Sequence, residues 1–165
     1  MRTLLDSCSI INLVNVDALV LACSLDGIVW CVPPVVVGEV DERCKAAIAV
    51  AMADNALELI DDSTVDADLY LRLLDEHRLG AGETECIAVA LAEGHSICLD
   101  DRRARRVAES LLGTPRVFGT LRLLRWCAEQ GLVTCGDARS LLLGMRESGG
   151  FLPDVPQSFF CQDDG

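Results

Sequence analysis

Short apolar runs that stop at an acidic residue and pass directly into helical periodicity constrain the fold of this chain more than any other feature. "TLLD" leads into "SCSIINLVNVDALVLACS", and "SICLDD" at 96–101 leads into "RRARRVAESLL". Runs this short, bounded in this way, suit a buried strand and are too short for a helix, whereas the longer segments carry apolar residues often enough for buried helix. The exchange recurs at "IVWCVPP", stopped by Pro33 and Pro34 before "VVVGEVDERCKAAIAVAMA", and again at "RVFG" before "TLRLLRWCAEQG". "LELI" at 57–60 adds a weak strand. Strands alternating with helices predict an α/β sandwich built on a mainly parallel sheet.

The remaining segments fit that plan. "TVDADLYLRLLDEHR" sets Val65, Leu69, Leu73 and Leu74 on one face of an amphipathic helix. "LGAGETECIAVALAEG" offers the loop glycines Gly80 and Gly82, then an almost wholly apolar helix that must lie in the core and end at Gly94. Ser7 is the expected cap of the first helix. A last helix, "DARSLLLGMRE", closes a single domain over 1–147, and 148–165 ("SGGFLPDVPQSFFCQDDG") reads as a tail that is extended or packed on a partner. No apolar run approaches the ~20 residues of a membrane span, and Asp6 interrupts the N-terminal apolar stretch. The expected location is the cytoplasm, with no membrane association. Nine cysteines form an odd set without a C-x-x-C pair, and several, such as Cys86 and Cys98, sit inside apolar runs where a reduced thiol acts as a small hydrophobe, which is the favoured reading over disulfides or zinc. His77 and His95 fall in loop positions and read as solvated.

Ligands of parallel sheets gather beyond the carboxyl ends of the strands. Asp6 and the Asp100/Asp101 pair hold such positions, and Glu39 and Glu83 stand at the starts of the helices that follow their segments. Helix N-termini favour anions by about 0.3–1 kcal/mol, which is a purely structural reason for either glutamate alone. Four carboxylates on one edge are another matter, because their mutual repulsion asks for a cation. Oxygen ligands without histidine or thiolate suit Mg²⁺ or Mn²⁺, and such ions assist phosphodiester hydrolysis. Glu83 and Glu85 lie about 200° apart around a helix, so only one faces the cluster. Glu83, nearer the terminus, is the inward choice and Glu85 the reserve. Asp100 and Asp101 pose the same choice, since neighbours at a strand end point to opposite sides.

"LLDSCSIINL", Glu39 in "VVVGEV", "GAGETECIAVALAEG" and "ICLDDRRARRVA", in that order over residues 2 to about 130, resemble the PIN-domain nucleases, most closely their prokaryotic VapC-like branch. The resemblance implies a three-layer α/β/α sandwich, Mg²⁺- or Mn²⁺-dependent ribonuclease activity, a homodimer, and, for a toxin of this type, a small antitoxin that covers the acidic edge. It matches Asp6, Glu39, Glu83 and Asp101 to the family's four acids, with Glu in place of the usual third Asp. Asp100 becomes a neighbour of the metal shell. Ser7 matches the hydroxyl residue after the first acid, on the substrate side.

A net charge of −12 excludes a broad basic face for nucleic acid. Seven of the 14 basic residues nevertheless lie between 102 and 125. Arg102 and Arg103, nearest Asp101, are the candidates for binding substrate phosphates, while pairing with Glu109 on a solvated helix face is the structural alternative. Trp126 reads as core, and Phe159 and Phe160 as packing on a partner or subunit. One rival is a non-catalytic PIN-like module whose acids serve binding or regulation. Another, a phosphoacceptor receiver domain, needs a lysine beside the acids, and the only lysine is Lys45, inside an early helix.

Overall fold

The computed structural model describes residues 1–61, 63 and 65–161. A five-stranded, all-parallel sheet runs through its centre in the order β3-β2-β1-β4-β5. Its strands are β1 (Arg2–Leu5), β2 (Val29–Val32), β3 (Leu57–Leu59), β4 (Ser96–Cys98) and β5 (Val117–Phe118). All are short. Leu4, Leu5, Trp30, Cys31, Val32, Ile97 and Cys98 are buried within them, because strands covered by helices on both faces carry no polar alternation.

Helices α1 (Ser7–Asn15), α2 (Leu19–Cys23), α4 (Glu42–Ala53), α8 (Thr120–Glu129) and α9 (Cys135–Glu147) pack together in one layer. The other layer contains α3 (Pro34–Glu39), α5 (Ala67–His77), α6 (Ala81–Glu93) and α7 (Arg102–Leu112). The chain is therefore an α/β/α sandwich. As its apolar surface requires, α6 is central, with every residue from Cys86 to Ala90 buried. No helix among the described residues is long and apolar enough to cross a membrane.

Several boundaries differ from the sequence reading, each for a local reason. The first predicted helix breaks into α1 and α2 at Asp17, whose φ of 53° is left-handed. Asp6, not Ser7, caps α1, accepting the Ser9 N–H at 2.8 Å. The predicted helix after β2 breaks at Val40, because Asp41 caps a new helix through the Cys44 N–H. Glu39 is thus the last residue of the short α3 and not near a helix start. Helix α5 begins at Ala67, capped by Asp66, and Thr64 lies outside the described residues.

The C-terminal stretch returns to its own chain. A 3-10 turn at Gln157–Phe160 packs on α8 and α9, with Phe160 fully buried and Leu152 nearly so. Asp154 pairs with Arg139 at 2.7 Å and Arg146 at 3.4 Å, and Cys161 pairs with Cys135, their Cα atoms 5.4 Å apart. These contacts correct the reading of 148–165 as extended or packed on a partner, as far as Cys161; the last four residues lie outside the described residues. The Cys135–Cys161 pair also departs from the expectation of reduced thiols, whereas Cys86 and Cys98 are free and buried. His95 is buried rather than solvated, within 3.4 Å of Glu93. Trp126 does pack inward, meeting the Phe118 ring edge-on at 4.7 Å between centroids.

Candidate active site

Strand β1 has β2 on one side and β4 on the other. Connections leave the two sides in opposite senses, which opens a crevice beyond the carboxyl ends of β1 and β4. Asp6 stands at its base. Its N–H donates to Cys98 O on β4 at 3.3 Å, and its Oδ1 accepts the Ser9 N–H. Its Oδ2 is buried and has no hydrogen-bond partner among the described residues. Burial, reinforced by the charge of Asp100, pushes the Asp6 carboxyl up to about 7; the Ser9 bonds oppose this, and Glu83 adds to it more weakly. A buried carboxylate oxygen without a partner is costly to keep charged.

Glu39 reaches the same edge from the end of α3. Ser7 Oγ donates to its Oε2 at 2.7 Å, and the Gly82 N–H in the first turn of α6 donates to its Oε1 at 2.8 Å. Both carboxylate oxygens are thereby oriented. A Cβ on Gly82 would overlap the Glu39 carboxylate and stand 3.2 Å from Ser7 Oγ. The glycine read as a loop residue is therefore a helical one, and its missing Cβ leaves the space that the Glu39 carboxylate occupies.

The two glutamates of "GETE" diverge, as helical geometry demands. Glu83 is partly exposed, and its Oε2 accepts the Gly80 N–H at 3.0 Å. Burial raises its carboxyl, the Gly80 bond opposes this, and Asp101 and Glu39 add repulsion, which places it among the acids. Glu85 is only 4% exposed and accepts the Val35 N–H of α3 at 3.0 Å. It lies deeper than its reserve status suggested.

Asp100 and Asp101 also separate. Asp101 caps α7, its Oδ1 accepting the Arg103 and Ala104 N–H groups at 2.8 Å each. Its Oδ2 accepts no hydrogen bond among the described residues. Asp100 instead ties α1, α7 and α8 to the end of β4. Its Oδ1 accepts the Thr120 N–H of α8 at 2.8 Å and faces Arg105 of α7 at 3.6 Å, and its Oδ2 accepts from Asn12 Nδ2 of α1 at 2.8 Å and from the Thr120 hydroxyl. A Cβ on Gly119 would overlap the Arg105 guanidinium and come 2.8 Å from Asp100 Oδ1. Sequence reasoning missed Asn12, Thr120 and Gly119. Their link to Asp100 spans up to 88 residues and leaves no local pattern.

The arginines divide in the same way. Arg105 donates to Leu99 O through Nε and Nη2, and Arg103 to His77 O at 2.6 Å. Arg116 braces His95 O, and Arg125 pairs with Glu129 at 2.7 Å. Arg102 is exposed and makes no hydrogen bond or ion pair among the described residues.

The charge of the acids is also felt at Cys8. Burial pushes the Cys8 thiol up to about 12, and Asp6, Glu83, Asp100 and Asp101 all add to the effect. As the side chains stand, no three acidic, histidine or cysteine groups among the described residues are close enough to hold one metal ion. The donor set fits a hard divalent cation in kind: it is all oxygen, and it includes the unpaired Asp6 Oδ2 and the uncommitted Asp101 Oδ2.

A family model described as a PIN domain matches residues 2–157. No curated protein and no solved structure matches the chain.

Proposed function

The chain belongs to the PIN-domain family, whose members are generally nucleases that use divalent metals, and on that premise we propose that it is a Mg²⁺- or Mn²⁺-dependent endoribonuclease of the VapC-like toxin type. The observation that carries this reading is Asp6 Oδ2, buried without a hydrogen bond among the described residues, on an edge where Asp100 and Glu83 add their charge to its own. A fold that places an acid there without a partner leaves its charge to be matched by a ligand.

Asp6, Glu39, Glu83 and Asp101 are the residues that would hold the cation. When bound, it would supply positive charge against the carboxylates and polarise a phosphate oxygen. The chain's own groups fix the frame. Ser9 and the β1–β4 pairing set Asp6; Ser7 and Gly82 orient Glu39; Asp101 stands at the N-terminus of α7. Arg102, uncommitted, and Arg103, whose Nη2 donates to a main-chain oxygen, flank Asp101 as phosphate ligands. In hydrolysis, water oxygen bonds to phosphorus, the bond to the leaving sugar oxygen breaks, and that oxygen takes the proton the water gives up. On this reading a homodimer and an antitoxin that covers the acidic edge are the partners, and the cytoplasm is the place of action.

The test is incubation of an unstructured RNA with the purified chain and Mn²⁺ or Mg²⁺, beside Asp6→Asn and Glu39→Gln. Metal-dependent cleavage that both substitutions abolish supports the reading. Stabilisation of the wild type by the metal, with RNA left intact, supports the non-catalytic module instead.

A further inference from the structure

Beside the acidic edge lies a groove of about 730 Å³, within the range of small-molecule sites. Cys8, Asp100, Asp101 and Arg102 form its end next to the crevice, and Ile11 of α1, Leu121 of α8 and the turn Ser148–Pro153 form its walls. Phe151, on that turn, is 100% exposed. Every other phenylalanine is at least partly buried: Phe118 and Phe160 lie in the core, and Phe159 packs beneath Arg125. An aromatic side chain held wholly in solvent gains nothing for the fold, and it stands where a ligand in the groove would meet it.

Resting on the nuclease reading above, we propose that this groove is a nucleobase subsite for the nucleotide flanking the scissile phosphate. Phe151 stacks on the base, Ile11 and Leu121 line its apolar surroundings, and Arg102 pairs with the adjoining phosphate. Three observations choose a polynucleotide over other occupants. The groove is continuous with the carboxylate edge through Cys8 and Asp101, so it offers a strand with its phosphate at the acids a path on past Arg102. Its mouth carries an uncommitted guanidinium on a chain of net charge −12, a local match for an anionic strand. Its free wall is an aromatic face, which stacks on a base that is not paired.

The test is binding and cleavage of a fluorescent unpaired RNA oligonucleotide by the wild type, Phe151→Ala, Phe151→Trp and Arg102→Gln. Binding is measured with Ca²⁺ in place of Mn²⁺. Phe151→Ala should weaken binding roughly 5- to 150-fold, the loss of one stacked base, and raise KM by more than it lowers kcat. Phe151→Trp should restore affinity and show indole quenching on addition of RNA. Unchanged affinity in Phe151→Ala, while Asp6→Asn still abolishes cleavage, overturns the subsite and leaves the nuclease reading standing. No binding or cleavage by the wild type overturns both. Weakened capture of an apolar peptide by Phe151→Ala, with RNA binding intact, would assign the groove to a protein partner and overturn the proposal. Because Phe151 is fully exposed, its variants should unfold at the wild-type temperature, which separates lost binding from lost fold.

Discussion

Asp6→Asn should make the metal-free protein more stable at pH 8 and no more stable at pH 4. The native carboxyl titrates at about 7 against an ordinary value of 3.8, so the folded state binds this proton more tightly than the unfolded state. Stability therefore falls as pH rises from about 4 to about 7 and stays reduced above that. At ~1.36 kcal/mol per pH unit, the gap amounts to about 4 kcal/mol withheld from the fold at pH 8. Asparagine keeps the Oδ1 acceptor for the Ser9 N–H and removes the charge. Its amide nitrogen takes the place of an oxygen that has no partner, at a cost of ~1–3 kcal/mol. The net gain at pH 8 is then on the order of 1–3 kcal/mol, each kcal/mol raising Tm by ~2–4 °C in a domain of this size. At pH 4, where the native carboxyl is protonated, only the cost remains. Urea titrations of both proteins in EDTA at pH 4 and pH 8 measure the difference directly. A difference that stays constant between the two would refute the reasoning, because it would mean that Asp6 carries no charge penalty. Millimolar Mn²⁺ at pH 8 should then stabilise the wild type more than the variant.

Gly82→Ala should displace Glu39 from Ser7 and from the Gly82 N–H, since the new methyl overlaps the carboxylate. RNA cleavage should drop at least tenfold while the unfolding free energy changes by no more than about 1 kcal/mol, because Glu39 is exposed and can swing outward; equal activity would show that the orientation of Glu39 is immaterial. Phe160→Ala should cost about 3–5 kcal/mol by emptying a fully buried site between α8 and α9. A change below 1 kcal/mol in urea unfolding would show that the C-terminal segment does not hold to the body of the protein.

The groups that define the edge were legible in the sequence, whereas the groups that hold them were not, and the two differ in how far along the chain their causes lie. Asp6 and Asp101 sit where an apolar run gives way to a helix, and both the burial of the strand and the capping of the helix follow from their nearest neighbours. The divergence of Glu83 from Glu85 follows from helix geometry alone. Which of them is buried does not, because the partner of Glu85 is a main-chain N–H 50 residues earlier, at the start of α3. Glu39 stands at a helix end and not at the expected helix start: the cap at Asp41 ends one helix and begins another, so Ser7 and Gly82 orient the acid. Phe160 had to be covered, but apolarity does not say by what, and the α8–α9 pair is recognisable as its cover only once folded. Asp100 is the clearest case. Read as a shell neighbour because it adjoins Asp101, it accepts from Asn12 and Thr120, and these bonds lock α1 and α8 against the end of β4. Removing Asp100 would therefore disturb the edge through its frame even without contact to a ligand, and mutational loss at this position cannot be read as loss of a metal contact.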